Sequence, residues 1–220
     1  TLFMVLLTAL QVLLHRYTAQ QDIRVGVPVA NRHRLESERV IGFFVNTQVL
    51  RNVLGSRTSL RQALQQTREA ALGAQAHQDL PFEQLVEALQ PERSLGTAPL
   101  FQVMFNHQRR DQAALAKLPG LTLQDYEIGT QTAQFGVTLG TVGDAQGNVQ
   151  ACFHVAHELV DVESIARMAA HYLSVLRALA ERPEQAVGDI DLLTAGEKER
   201  FATWGVNDSG RNSTQPVHHL

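Results

Sequence analysis

The chain has 220 residues, 44% of them hydrophobic and 19% charged, with a formal net charge of −3. This is the make-up of an ordinary globular chain with a sizeable core; it excludes a disordered segment, and without a long basic block it excludes the electrostatic footprint of a nucleic-acid binder. The single cysteine, Cys152, excludes an internal disulfide and a thiolate-rich zinc site and fits a reducing cytoplasm.

In chain order, Leu2–Tyr17 is apolar on nearly all sides and predicts a buried helix. The apolar run Thr1–Leu14 lacks the basic start and small-residue cleavage site of a signal peptide and is too short to cross a bilayer, so no membrane partner is expected. Ile23, Val25, Val27 and Val29 alternate as a strand, with Pro28 marking an edge, bulge or strand end. Residues 31–39 read as a polar loop, and Ile41–Val53 as a second strand weakened at Gly42.

Thr58 or Ser59 can cap the next helix, with Gln62 placed to close a capping box on Ser59. Asp79 is expected to cap a shorter helix with Pro81 in its first turn. Pro91–Pro99 reads as a loop, and Leu100–Asn106 and Leu121–Ile128 as strands. The alternating runs at Phe135–Leu139 and Val149–Val155, separated by the turn formers Gly143–Asn148, predict a long hairpin. Asp161 caps a last long helix that stops before Pro183; Glu197–Trp204 reads as a short helix and Val206–Gln215 as linker. Helices mixed with pairing strands give an α/β layered domain.

Several residues invite a sharper reading. His77 and Asp79 have the types of an acid–base pair, but a helix cap accounts for Asp79 more simply. His154, His157 and Glu158 have metal-ligating types, yet strand alternation sends the two imidazoles to opposite faces, so no metal is expected. Cys152 lies inside an alternating strand and reads as an unactivated thiol. Arg109 and Arg110 read as a solvated loop pair that could also meet an acidic partner. Asn46 and Thr47 end an apolar run; Asn46 either satisfies neighbouring backbone groups or shapes a binding channel, and both readings stand.

Four segments carry a resemblance. Asp22–Arg32 resembles D-I-x-V-G-x-P-x-A-x-R, Ile41–Thr47 matches I-G-x-F-V-N-T, His77–Glu83 matches H-Q-D-x-P-F-E, and Pro99–Phe105 matches the end of R-D-x-S-R-x-P-L-F-Q-V-x-F. In that order they resemble the second half of the condensation domains of nonribosomal peptide synthetases. The resemblance implies a chloramphenicol acetyltransferase-like lobe, a mixed sheet flanked by helices. It also implies a C-terminal condensation lobe over 1–193 and, over 194–220, a linker with the start of an adenylation domain. Family members join a donor thioester to an acceptor amine in a tunnel between two lobes. Both substrates ride on the 4′-phosphopantetheine arms of carrier domains, so no cofactor is expected on this chain itself. The partners implied are an N-terminal condensation lobe, peptidyl carrier domains and a downstream adenylation domain.

The family histidine belongs to H-H-x-x-x-D-G in the N-terminal lobe. No such string occurs in the 220 residues, and His218-His219-Leu220 stands at the wrong end. No catalytic residue is therefore assigned, and the chain alone is expected to be inactive. Val27, Asn46, Thr47 and Gln134 are the substrate-channel candidates. Val27 departs from the serine or threonine frequent at its position; Phe135-Gly136-Val137 stands for the family's F-D-L, and Phe153–Val160 for Y-N-T-D-L-F. Phe105–Gln108 and Thr132–Phe135 resemble the dual epimerisation–condensation subtype. The alternatives are a non-catalytic module that docks carrier or adenylation domains, an epimerisation domain, and a relative that acts on coenzyme A thioesters. An unpaired hairpin edge in an isolated lobe also predicts self-association.

Overall fold

The computed structural model describes residues 1–32, 34–91, 98–109, 120, 134–156 and 161–205. Helix α1 (Leu2–Thr18) is as apolar as its sequence requires: Leu6, Leu7, Ala9, Leu10, Val12 and Leu13 are all buried. Its last turn is tied down by polar contacts, since Arg16 donates to the carbonyls of Val187 and Ile190, each at 2.8 Å. Tyr172 of the long helix α5 (Val162–Glu181) donates to Leu6 O at 3.0 Å, and burial pushes that phenol's pKa well above its ordinary value.

Strands β1 (Asp22–Val29) and β2 (Asn46–Val53) pair antiparallel from Asp22↔Val53 to Val29↔Asn46. Between them lies a four-residue helix α2 (Leu35–Glu38), where the sequence predicts only loop. After β2 come α3 (Leu60–Ala76), α4 (Phe82–Leu89), β3 (Val103–Arg109), β4 (Val137–Gly143), β5 (Val149–Val155) and α5 (Val162–Glu181). The sheet order is β2-β1-β3-β4-β5; β1, β3 and β4 run parallel and each outer pair is antiparallel. Pro28 lies beyond the two residues, Val25 and Gly26, at which β1 pairs with β3, so its missing N–H interrupts no bond on that side.

Strand alternation assigns the faces. Gln48 Nε2 donates to Ala74 O at 2.6 Å and Asn52 Nδ2 to Ala63 O at 3.3 Å, so the even-numbered residues of β2 face α3. Register then puts Ile23, Val25 and Val27 of β1 on the same face. Phe105 of β3 meets Phe3 of α1 there (centroids 5.5 Å apart), and Phe153 of β5 meets Tyr172 of α5 (5.9 Å). Within this layer Gln11, Asn52 and Thr67 form a wholly buried polar triad: Asn52 Nδ2 reaches Thr67 Oγ1 at 2.9 Å and Gln11 Oε1 at 3.2 Å, and Thr67 Oγ1 donates to Gln11 Oε1 at 3.0 Å. It locks α1, β2 and α3 in one register, because sliding any of them strands a buried polar group.

Three expectations are corrected. β2 begins at Asn46 and not at Ile41; Ile41 and Phe43 are 101% and 90% exposed, so their apolar character reflects neither pairing nor burial here. β3 begins at Val103 and not at Leu100, because Leu100 adopts a left-handed backbone (φ 70°) that no ladder accepts and Phe101 folds back, its N–H bonding Pro99 O. Helix α4 starts after Pro81, whose position is the N-cap, and Asp79 lies outside it.

The helix caps at Ser59–Gln62 and Asp161 are as the sequence predicts, and so is the β4–β5 hairpin. In its turn Asp144 Oδ1 accepts from the backbone N–H groups of Gln146 and Asn148 (2.9 and 2.8 Å), and Gly147 takes the positive φ of 90° that a side chain resists. The predicted strand Leu121–Ile128, the linker Val206–Gln215, and His157, Glu158 and Arg110 lie outside the described residues. The chain divides into two compact units, Thr1–Ile190 and Asp191–Leu220. In the second, α6 (Ala195–Gly205) is capped by Thr194 and Glu197, and Phe201 stacks edge-on with Trp204 at 5.5 Å.

Candidate functional site

The four motif segments meet. Gly26 of β1 points away from the helix layer, and an added Cβ would stand 2.3 Å from the Phe101 ring. Glycine is needed there because the buried aromatic ring occupies the place a side chain would take. Phe101 in turn packs against Phe82 (centroids 5.7 Å apart) and Phe135 (5.3 Å). Its departure from the β3 ladder is what carries it over Gly26.

Asn46 closes the cluster from the other side. Its Oδ1 accepts from the N–H of Thr47 (2.9 Å) and of Phe82 (3.1 Å), and its Nδ2 donates to Gln78 O (3.2 Å) and Leu80 O (2.9 Å). Pro81 has no side-chain oxygen with which to cap α4, and the carboxamide of Asn46 takes that place. The helix therefore starts where β2 tells it to.

The four channel candidates fall in different environments. Val27 is 5% exposed and shares the helix-side face with Ile23 and Val25. Asn46 is half-buried and committed to backbone groups. Thr47, half-buried, lies on the opposite face from Asn46, the face that Gly26 also presents. Gln134 is exposed, immediately before the Phe135 that joins the aromatic cluster. The geometry thus ties Asn46 to Phe82 and, through its ring, to Phe101 and Phe135, sets Thr47 on the sheet face that Gly26 presents, and leaves Val27 behind the strand. Sequence reasoning missed Phe101 and Phe82; a helix beginning after a proline with no capping side chain was the available signal.

His77 Nδ1 lies 2.9 Å from Gly73 O, at the end of α3. Cys152 and His154 are exposed on β5. Among the described residues no group of three His, Cys, Asp or Glu side chains could hold a metal, and no helix is long and apolar enough to cross a membrane. A cleft of about 660 Å³ opens where β1 and β3 splay ahead of their pairing, lined by Leu14, Asp22, Arg24, Leu100 and Gln102 among others. Asp22 there sits between Arg24 (2.6 Å) and Arg51 (2.7 Å), and those hydrogen bonds, Arg24's first, hold its carboxyl below the usual range. None of Asn46, Phe82, Phe101 and Phe135 titrates, so the cluster can shape and line a site but cannot itself move a proton.

Residues 1–202 match the family model described as Condensation domain. Over 222 residues the chain is 39% identical to tyrocidine synthase 3 of Brevibacillus parabrevis, an alignment that covers 100% of this chain and 3% of that protein. The chain thus spans only a small part of the relatives it matches. Among solved structures, a four-domain nonribosomal peptide synthetase bound to AMP and glycine aligns with a TM-score of 0.80 at 25% identity, covering 90% of this chain and 16% of that one. The X-domain from teicoplanin biosynthesis, solved in complex with OxyB, aligns with a TM-score of 0.77 at 26% identity, covering 88% of this chain and 43% of that one.

Proposed function

The chain belongs to the condensation-domain family, and we propose that it forms the C-terminal of two lobes that together make amide bonds between carrier-bound thioesters. Its five-stranded mixed sheet with flanking helices is the chloramphenicol acetyltransferase-like fold of that family. The observation that carries the proposal is the convergence of the four motif segments on Gly26, Asn46, Phe82 and Phe101. Segments far apart in sequence meet in one cluster at the margin of the sheet face turned away from α1, α3 and α5, where a second lobe would enclose a channel.

In the reaction the acceptor's amine nitrogen attacks the donor's thioester carbonyl, a C–N bond forms, the C–S bond breaks, and the amine proton leaves as the thiol is released. Alignment and stabilisation of the charged tetrahedral species dominate such a barrier. This chain's part is alignment. Thr47 and Gln134 present side chains toward the channel, Asn46 sets the wall, and Val27 backs it from the core side. Residues 194–220 are the linker and the start of a following adenylation domain, a division supported by the separation of a second compact unit after Ile190. The family match itself runs further, to residue 202. The 4′-phosphopantetheine arms belong to the carrier domains and enter as substrate, and the whole assembly works in the cytoplasm.

Without the H-H-x-x-x-D-G lobe this chain makes no amide. The test supplies purified chain, and separately the parent synthetase's complete domain, with loaded donor and acceptor carrier domains. Amide from the complete domain and none from the chain is expected; amide from the chain alone would sink the claim of inactivity. A complete domain that makes no amide would favour a second reading, a docking module. That reading draws on the likeness to an X-domain solved with OxyB bound. The configuration of the donor's α-carbon in the product tests the dual epimerisation–condensation subtype.

A further inference from the structure

Between β1 and β2 one guanidinium gathers the main chain. Arg32 Nη1 donates to Ser37 O and, at 2.8 Å, to Val40 O; Nη2 donates to Gly42 O at 3.0 Å; and the guanidinium carbon stands 4.3 Å from the centre of the Phe44 ring. The stretch it gathers has almost no core of its own: Leu35, Ile41 and Phe43 are 81%, 101% and 90% exposed. A segment with so little buried apolar surface opens at low cost unless something else orders it. A planar fork with fixed donor directions and a face that stacks on an aromatic ring supplies that order, and an ammonium does not.

Phe44 lies two residues before Asn46, whose carboxamide holds the first turn of α4. We propose that Arg32 is a positioning residue: by fixing Phe44 and the carbonyls of Ser37, Val40 and Gly42, it sets where β2 begins, hence where Asn46 stands, hence where α4 starts. The consequence for amide formation rests on the function proposed above; the coupling between Arg32 and α4 does not.

Amide hydrogen exchange on the 220-residue chain tests it, with Arg32→Ala, Arg32→Lys, Asn46→Ala and the double variant Arg32→Ala/Asn46→Ala. The reporters are the N–H groups of Thr47 and Phe82, both held by Asn46 Oδ1 and neither touched by Arg32. Arg32→Ala is expected to speed their exchange about five- to tenfold, the scale of a lost helix cap, while the amides of α5 around Val175 keep wild-type rates. Arg32→Lys is expected to behave like Arg32→Ala. In the Asn46→Ala background the Arg32 substitution is expected to add nothing at Phe82, because the two act in series.

Acceleration confined to residues 37–44, independent additive effects at Phe82, or a uniform rise that includes α5 would each overturn the proposal. Should Arg32→Ala fail to fold, the same comparison on Arg32→Lys decides it. Exchange is read without turnover, so failure of the amide-forming reading would leave this result intact.

Discussion

Asn46 Oδ1 accepts the N–H of Phe82 at 3.1 Å, a bond that joins the first residue of β2 to the first residue of α4 across 36 positions of sequence. The other half of the same carboxamide donates to Gln78 O and Leu80 O, so one side chain serves both as a cap and as a clamp on the turn before the helix. Replacing Asn46 with alanine is expected to cost about 2 kcal/mol, a lost cap together with unpaired backbone carbonyls in a half-buried place. Asn46→Asp keeps the acceptor but points a carboxylate at two carbonyl oxygens, so it is expected to be no better than alanine. Urea midpoints at unchanged slope measure both; an aspartate variant as stable as wild type would show that the Nδ2 bonds contribute nothing.

Gly26 and Phe101 make a second prediction. An alanine Cβ at position 26 would lie 2.3, 2.5 and 2.7 Å from three atoms of the Phe101 ring, and the ring is buried at 2% exposure, held by Phe82 and Phe135. Gly26→Ala is expected to destabilise by about 1–3 kcal/mol through overpacking. Phe101→Leu alone also destabilises, but the double variant is expected to lose less than the sum of the two, because the smaller side chain makes room for the methyl group. Additive thermal-denaturation losses would mean that the ring simply moves aside.

Local signals were legible and distant ones were not. Ser59 with Gln62, and Asp161 with Ser164, are caps written within four residues of chain, and both helices start where those caps put them. The β4–β5 hairpin was legible because alternation on each side of Asp144–Asn148 fixes both strands and the turn. The start of β2 was misread because Ile41 and Phe43 are apolar without being buried. The cap of α4 was misread because Asp79, a good capping residue close in sequence, competes with an asparagine 36 positions away, and only the fold decides between them. Of the site, Asn46 was singled out with two roles open, and its backbone bonding is the one the geometry displays. Phe101 reads from sequence as one more apolar residue of a strand; its place over Gly26 depends on the backbone reversal at Leu100.

The buried triad predicts a large effect from a residue far from the motif cluster. Asn52 is 2% exposed and its Nδ2 reaches Gln11 Oε1, Ala63 O and Thr67 Oγ1. Asn52→Ala removes volume and leaves those acceptors short of a donor, at an expected cost of about 2–4 kcal/mol. Thr67→Ser keeps the hydroxyl and is expected to cost under about 1.5 kcal/mol, the loss of one methyl group, whereas Thr67→Val keeps the volume but takes one buried hydrogen bond from Gln11 Oε1 and one from Asn52 Nδ2, costing more. A Thr67→Val variant as stable as Thr67→Ser would show that the layer is held by packing and that the polar triad adds nothing to it.

His107 makes stability depend on pH. Its Nδ1 lies 2.9 Å from Thr141 Oγ1, and its pKa is lowered from 6.5, chiefly by burial and secondarily by the positive charge of Arg109. The unfolded chain, with an ordinary imidazole, therefore takes up a proton at higher pH than the folded one. The neutral ring's contribution to folding is complete above pH 6.5, falls as pH drops below that value, and levels off once the folded form is protonated as well. The chain has nine histidines, so the informative quantity is the difference between wild type and His107→Gln. Between pH 7.5 and 5 the wild-type melting temperature is expected to fall further than that of the glutamine variant. Arg109→Ala, which removes the second cause at an exposed position, is expected to shrink that difference and to raise the His107 titration midpoint seen by NMR. A His107 resonance that titrates at or above 6.5 in the wild-type chain would contradict both expectations.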